Sequence, residues 1–197
     1  ARLPATEKEA DALQKAMADL TIYRGAAATE GQLKKVHGPR ILHLATHGFF
    51  LPDQLLAGSS NGAVSRGESS AAVADANPLL RSGLALAGAN KLSSADDDGV
   101  LTAFEAAGLD LWGTKLVVLS ACETGLGKVS NGDGVYGLRR ALVIAGAESI
   151  LMSLWQVDDV ATKELMAGYY GKISVGEPRG AALRTVQLDL LARSKYS

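Results

Sequence analysis

The sequence predicts an α/β protein with a mainly parallel central sheet and helices on both of its faces. Short apolar runs occur at 41–45, 115–120 and 148–154, as strands buried on both faces require. Segments with helical spacing of apolar residues alternate with them, the order that builds a parallel sheet. Two of the runs end on reactive side chains, Ile41-Leu42-His43-Leu44-Ala45-Thr46-His47-Gly48 and Leu116-Val117-Val118-Leu119-Ser120-Ala121-Cys122. In such sheets, sites form beyond the carboxyl ends of the strands, and that is where His47 and Cys122 fall.

The elements follow in order. A helix is expected over 6–20, because Ala10, Leu13, Met17 and Leu20 share one face and Thr6 with Glu9 can form a capping box. Residues 21–24 read as a short strand, and 29–36 as a helix capped by Thr29. Gly38-Pro39 then punctuates the chain before the first buried strand. Residues 51–76 are small and polar without a sustained period and read as a long loop insertion. Order resumes at Pro78, with a strand ending near Ala87, and 91–99 form a second polar loop. A helix over 101–107, the buried strand 115–120 and a turn at 131–134 come next. Residues 135–145 place Leu138, Leu142 and Ala145 on one helical face, and the strand 148–154 follows. Two more helices, over 160–173 and 180–191, close the chain.

Composition sets the outer bounds. A chain of 197 residues, 47% hydrophobic and 21% charged, is expected to form one globular domain, and its opening on Ala1 suggests a fragment of a longer chain. A net charge of −1 provides no field for nucleic acid or an anionic membrane. No apolar stretch reaches the roughly 18–20 residues of a membrane span. The single cysteine, Cys122, rules out an internal disulfide and allows a reducing compartment, so a cytoplasmic location is expected.

Cys122 and His47 together suggest a reaction. A thiolate is a strong nucleophile once a base sits beside it. His47 can take the thiol proton and return it to a leaving amine. Gly48 carries no side chain, so its N–H can approach a substrate carbonyl and share the oxyanion with the N–H of Cys122. The competing reading makes Cys122 a small buried hydrophobe. Its place at the end of the run, ahead of Glu123-Thr124-Gly125, speaks against that.

The other candidates carry weaker signals. His43 lies inside a strand and reads as a structural histidine, and His37, before a Gly-Pro turn, reads as exposed. A metal held by His43, His47 and Cys122 lacks a fourth ligand, so neither metal nor organic cofactor is expected. Gly132-Asp133-Gly134-Val135-Tyr136-Gly137 matches a dinucleotide fingerprint, but no strand directly precedes it, so it reads as a turn and a helix start. Asp133 is then a solvated turn residue or a group at the rim of the cleft. Trp155 could wall a substrate pocket, and Asp158 or Asp159 could pair with a basic side chain of a ligand. One of the two aspartates is as simply explained as a helix cap.

These blocks together resemble the CHAT domain family, caspase-like proteins usually fused to tetratricopeptide repeats. The resemblance rests on Leu44-Ala45-Thr46-His47-Gly48, on 78–90, on Leu119 to Gly125, on Gly132-Asp133-Gly134 and on Leu154 to Asp159, in family order. It implies a caspase-like fold and a cysteine endopeptidase acting on protein or peptide substrates. In that reading His47 and Cys122 are the catalytic pair, and Asp159 or Asp158 receives the side chain before the cut. It further implies regulation by tetratricopeptide repeats in cis or by a protein partner. The resemblance is imperfect in that the His47-to-Cys122 spacing is long and the family's terminal strand is missing after Ser197. Rival readings are a catalytically silent caspase-like interaction module, a redox sensor built on Cys122, and, last, a nucleotide-binding domain.

Overall fold

In a computed structural model of the chain, residues 4–17, 19–50, 78–90, 97–120, 122–123, 133–153 and 157–193 are described, with Cys122, Asp133 and Asp159 among those described by backbone alone. The expected loop at 51–76, most of the polar loop at 91–99, the turn at 131–132 and Trp155 lie outside these residues. The chain divides into two compact units, 1–24 with 157–197, and 25–156.

The larger unit is organised by a parallel sheet of strand order β1–β5–β7, formed by Ile41–Leu44, Leu116–Leu119 and Ile150–Met152. Its central strand is sealed on both faces. Leu116 and Leu119 are 2% exposed, and Val117 and Val118 are 0% exposed. A run of four apolar residues without alternation therefore means what it predicted, a strand with no solvent face. On one face, Leu42, Val117 and Leu119 share a core with Leu138, Ala141 and Leu142 of a helix, α4 (Asp133–Ile144).

Three of the unit's strands depart from the expected parallel pattern. β2 (His47–Phe50), β3 (Ser82–Ala85) and β4 (Val100–Thr102) pair antiparallel, and β6 (Cys122–Glu123) pairs parallel with β2. The resulting second sheet has the order β4–β3–β2–β6. The structure is thus a mixed α/β fold in which the parallel sheet carries an antiparallel arm. The arm's shortness hides it in the sequence, because three or four residues give almost no period to read.

Two short α-helices also lie among the described residues of this unit. α2 (Glu30–Lys34) is capped by Thr29, whose hydroxyl accepts from the Gln32 N–H at 3.2 Å, as the sequence predicts. The helix expected over 101–107 begins later, as α3 (Ala103–Ala106), because residues 100–102 join the sheet. Thr102 and Glu105 form a full capping box there, which is the signal that fixes the start.

The smaller unit is helical. α1 (Pro4–Ala16), α5 (Asp159–Ser174) and α6 (Arg179–Leu191) bury Leu13, Met166, Tyr169, Tyr170, Ala182 and Val186. The strand expected at 21–24 does not form. Its arginine instead reaches back to α1, with Arg24 donating to Asp11 at 2.7 Å, and Tyr23 stays half exposed. α1 also starts two residues before Thr6, with Pro4 in its first turn.

Tyr169 and Tyr170 meet edge to face, 5.7 Å between ring centroids. Burial holds the Tyr170 hydroxyl well above its ordinary pKa. The unfolded chain therefore ionises Tyr170 first, so its contribution to stability is complete below about pH 10 and is lost as pH rises beyond it. We expect unfolding stability to fall along an alkaline limb, and Tyr170→Phe to flatten that limb in denaturant titrations at pH 9 to 11.

Candidate functional site

β1 and β5 leave the parallel sheet side by side. The Ser120 N–H donates to the Leu44 carbonyl at 2.9 Å, extending the ladder past the last paired residues, Leu44 and Leu119. After a short break in each chain, β2 and β6 resume with His47 opposite Cys122 and Gly48 opposite Glu123. The pairing offset never changes between the two sheets. The two strands therefore keep one register on both sides of the break. His47 and Cys122 are thus neighbours across one parallel pair, a strand spacing of roughly 4.8 Å apart in backbone terms.

The bend at His47 is fixed locally. The Thr46 hydroxyl donates to the carbonyl of Ala85, the residue opposite His47 on β3. Gly48 is buried, with Leu84 on one side and Glu123 on the other. Thr46 has no assigned role in the sequence reading. Its place just before the histidine is the only hint that the sequence gives.

The remaining candidates are distributed as follows. His43 sits in β1 opposite Val118 and is partly buried. His37 is exposed, its Nδ1 3.1 Å from an oxygen of Asp110. Asp133 is the first residue of α4, so the glycine pattern around it runs into a helix. Asp158 is the N-cap of α5, its carboxylate accepting from the Ala161 N–H at 2.8 Å, and Asp159 is the first helical residue. Both belong to the smaller unit. Among the described residues no three His, Cys, Asp or Glu side chains are grouped to hold a metal ion. No helix among them is long and apolar enough to cross a membrane.

A charged cluster that sequence reasoning missed lies on the same sheet, at its opposite edge. Glu30 is 1% exposed, with Lys34 Nζ 2.5 Å from one oxygen and the Gly99 N–H donating to the other at 3.1 Å. Lys34 also reaches Glu105 at 3.1 Å. Burial pushes the Glu30 carboxyl up, against the pull of Lys34, while the hydrogen bond that Lys34 donates to Glu30 raises Lys34. Burial would also raise Glu105, but hydrogen bonds from Thr102 and Lys34 hold it below the ordinary glutamate value. Nothing local in the sequence marks Glu30 as buried.

The CHAT domain family model matches residues 1–197. Among curated proteins, Tetratricopeptide repeat protein 28 of Homo sapiens is 39% identical over 84 residues, 43% of this chain and 3% of that protein. Tetratricopeptide repeat protein 28 of Mus musculus is 38% identical over 69 residues, 35% of this chain and 3% of that protein. The matched segments thus span about 3% of the length of these curated relatives. No solved structure matches the chain significantly.

Proposed function

Because this chain belongs to the CHAT domain family, a caspase-like group, we propose that it is a cysteine endopeptidase domain working through Cys122 and His47. The observation that carries this reading is the register that makes His47 and Cys122 neighbours on β2 and β6. A base one strand away from a thiol needs no long reach to take its proton.

In this mechanism the Cys122 thiol passes its proton to His47, and the sulfur attacks the scissile carbonyl carbon. The oxygen takes the electron pair and is held by the N–H groups of Gly48 and Cys122. Collapse re-forms the carbonyl, and the C–N bond breaks as His47 protonates the leaving amine. A thioester remains. Water attacks it with His47 again as base, releasing the acid and restoring the thiol. No metal or organic cofactor enters any step.

Asp133, Trp155, Asp158 and Asp159 are proposed to contribute to substrate binding. Asp158 offers a clean separation of roles. Asp158→Ala removes both its charge and its cap, and is expected to cost about 1 kcal/mol of stability. Asp158→Asn keeps a capping oxygen, so it should leave stability nearly unchanged. If Asp158 holds a basic side chain, Asp158→Asn lowers kcat/KM for substrates with arginine before the cut and spares neutral ones. Equal rates on both would restrict Asp158 to the cap.

We place the domain in a reducing compartment, the cytoplasm, under control of tetratricopeptide repeats in cis or a protein partner. Mass spectrometry after exposure to peptide acyloxymethyl ketones tests the reading, with basic, acidic and aliphatic residues before the reactive group. Labelling of Cys122 that is lost in His47→Ala supports the dyad. The name of the matched relatives, a tetratricopeptide repeat protein, favours a second reading, a silent caspase-like module that binds proteins. Absence of labelling by every probe, with a repeat partner supplied, would favour that module.

A further inference from the structure

Two adjacent rows of register partners cross all four strands of the second sheet, and one of them contains the Cys122–His47 pair. Val100 on β4 lies opposite Ala85 on β3, Ala85 opposite His47 on β2, and His47 opposite Cys122 on β6. One end of the row is the pair assigned above to catalysis. The other end adjoins Gly99, the residue whose N–H is bound by the buried Glu30 carboxylate at 3.1 Å.

β4 is an edge strand of three residues, and such a strand holds its place weakly unless something else fixes it. Here both of its ends are tied to α2. At the start, Glu30 takes the Gly99 N–H, and the Gly31 N–H donates to Asp97 at 3.2 Å. At the finish, Thr102 is bound by Glu105, and Glu105 pairs with Lys34. Lys34 joins the two ties through its contact with Glu30. The adjoining turn is equally constrained. Gly99 has φ +80°, and a Cβ there would lie 2.2 Å from the Ala89 nitrogen. The end of β3 is clasped too, by the Ala87 N–H donating to the Ala28 carbonyl at 3.0 Å.

A buried carboxylate is a poor device for stability alone. Its desolvation offsets most of what its ion pair returns, and an apolar replacement of both partners is often no worse. What a satisfied buried polar network does supply is a unique arrangement. We infer that Glu30 is a positioning residue: through Gly99 and β4 it fixes the register row that ends in His47 and Cys122, three strand spacings or about 14 Å away. Its place in catalysis rests on the Cys122–His47 reading; its hold on β2 does not.

Two measurements on the full chain test this, with Glu30→Ala and the size-preserving Glu30→Gln. The first is amide hydrogen exchange, comparing β2 with β1 and β5 of the parallel sheet. Glu30→Ala is expected to speed exchange in β2 at least tenfold more than in β1, with a smaller effect in Glu30→Gln, which keeps an oxygen for Gly99. If Glu30→Ala does not fold, Glu30→Gln carries the comparison. Equal acceleration in β1 and β2, or none, would overturn the inference by reducing Glu30 to a general stabiliser or to nothing.

The second is the pH–rate profile of Cys122 alkylation by iodoacetamide. Relative to the wild-type profile, His47→Ala should shift the curve, and the Glu30 variants should shift it in the same direction by a smaller amount. A merely structural residue would leave the profile of the folded protein unmoved. A profile indifferent to His47→Ala would defeat the dyad itself and take the catalytic part of this inference with it, whatever β2 exchange reads. A profile sensitive to His47→Ala but not to Glu30 would leave the dyad standing and overturn the positioning role.

Discussion

Cys122→Ala is expected to abolish peptide cleavage, lowering kcat by about 10⁴-fold or more, while the protein keeps its fold. The size of the effect follows from the proposed chemistry. With the sulfur gone there is no covalent route, and only binding and the oxyanion donors remain to act on water attack. His47→Ala should fall nearly as far. A thiol without its base is protonated for most of the time at neutral pH, and the leaving amine loses its acid. The double variant should be no worse than the more damaging of the two, because residues that act as one unit are not additive. A fluorogenic peptide carrying the residue chosen by the best ketone probe would supply the assay. Two single losses that multiply in the double variant would mean two independent contributions and would sink the dyad. Thermal unfolding run beside the assay separates lost chemistry from lost fold.

The parts of this protein that were legible in its sequence are those whose signal is local. Leu116 to Leu119 read as a doubly buried strand because four apolar residues in a row cannot be half solvated, and they are not. Thr29 read as a cap because a hydroxyl at that position has one obvious partner, and it takes it. The family could be read from several motifs in order, and the family model covers residues 1–197. What was not legible depends on partners distant in sequence. β2 and β3 find each other across 31 intervening residues, from Phe50 to Ser82, and each is only four residues long. Glu30 is buried only because Gly99 and Lys34 both come to it. Residues 21–24 have the composition of a strand, but among the described residues none pairs with them as a strand, and Arg24 turns to Asp11 instead. Asp158 shows the limit in another way. Its sequence position fitted a cap or a ligand contact; the cap is formed, and a group that caps a helix can still carry charge at its exposed side.

Gly83→Val is expected to be among the most destabilising single substitutions in the second sheet, costing about 3 kcal/mol or more, with Gly83→Ala at about 1–3 kcal/mol. Gly83 pairs with Thr102 on one side and with Phe49 on the other. A Cβ at this position would lie 2.4 Å from the Leu101 carbonyl oxygen and 2.8 Å from the Phe49 ring. The ring lies over the glycine as a cross-strand cover, so the missing side chain on one strand is filled by a large one on the next. The ring could swing away from a methyl group, but the backbone oxygen can yield only by parting β3 from β4. That parting would reach the row containing Ala85 and His47, two residues along. At roughly 2–4 °C per kcal/mol for a chain of this size, Gly83→Val should lower the midpoint of thermal unfolding by about 6–12 °C. Gly171 provides the contrast within the same molecule. It lies inside α5, and a Cβ there would meet nothing within 4 Å. Gly171→Ala should therefore stabilise the protein by up to about 1 kcal/mol, since a helical glycine gives up more conformational freedom than alanine and gains nothing here in return. If Gly83→Val unfolds no earlier than Gly171→Ala, the close packing of Phe49, Gly83 and Leu101 is wrong, and with it the account of how the antiparallel arm holds His47 in place.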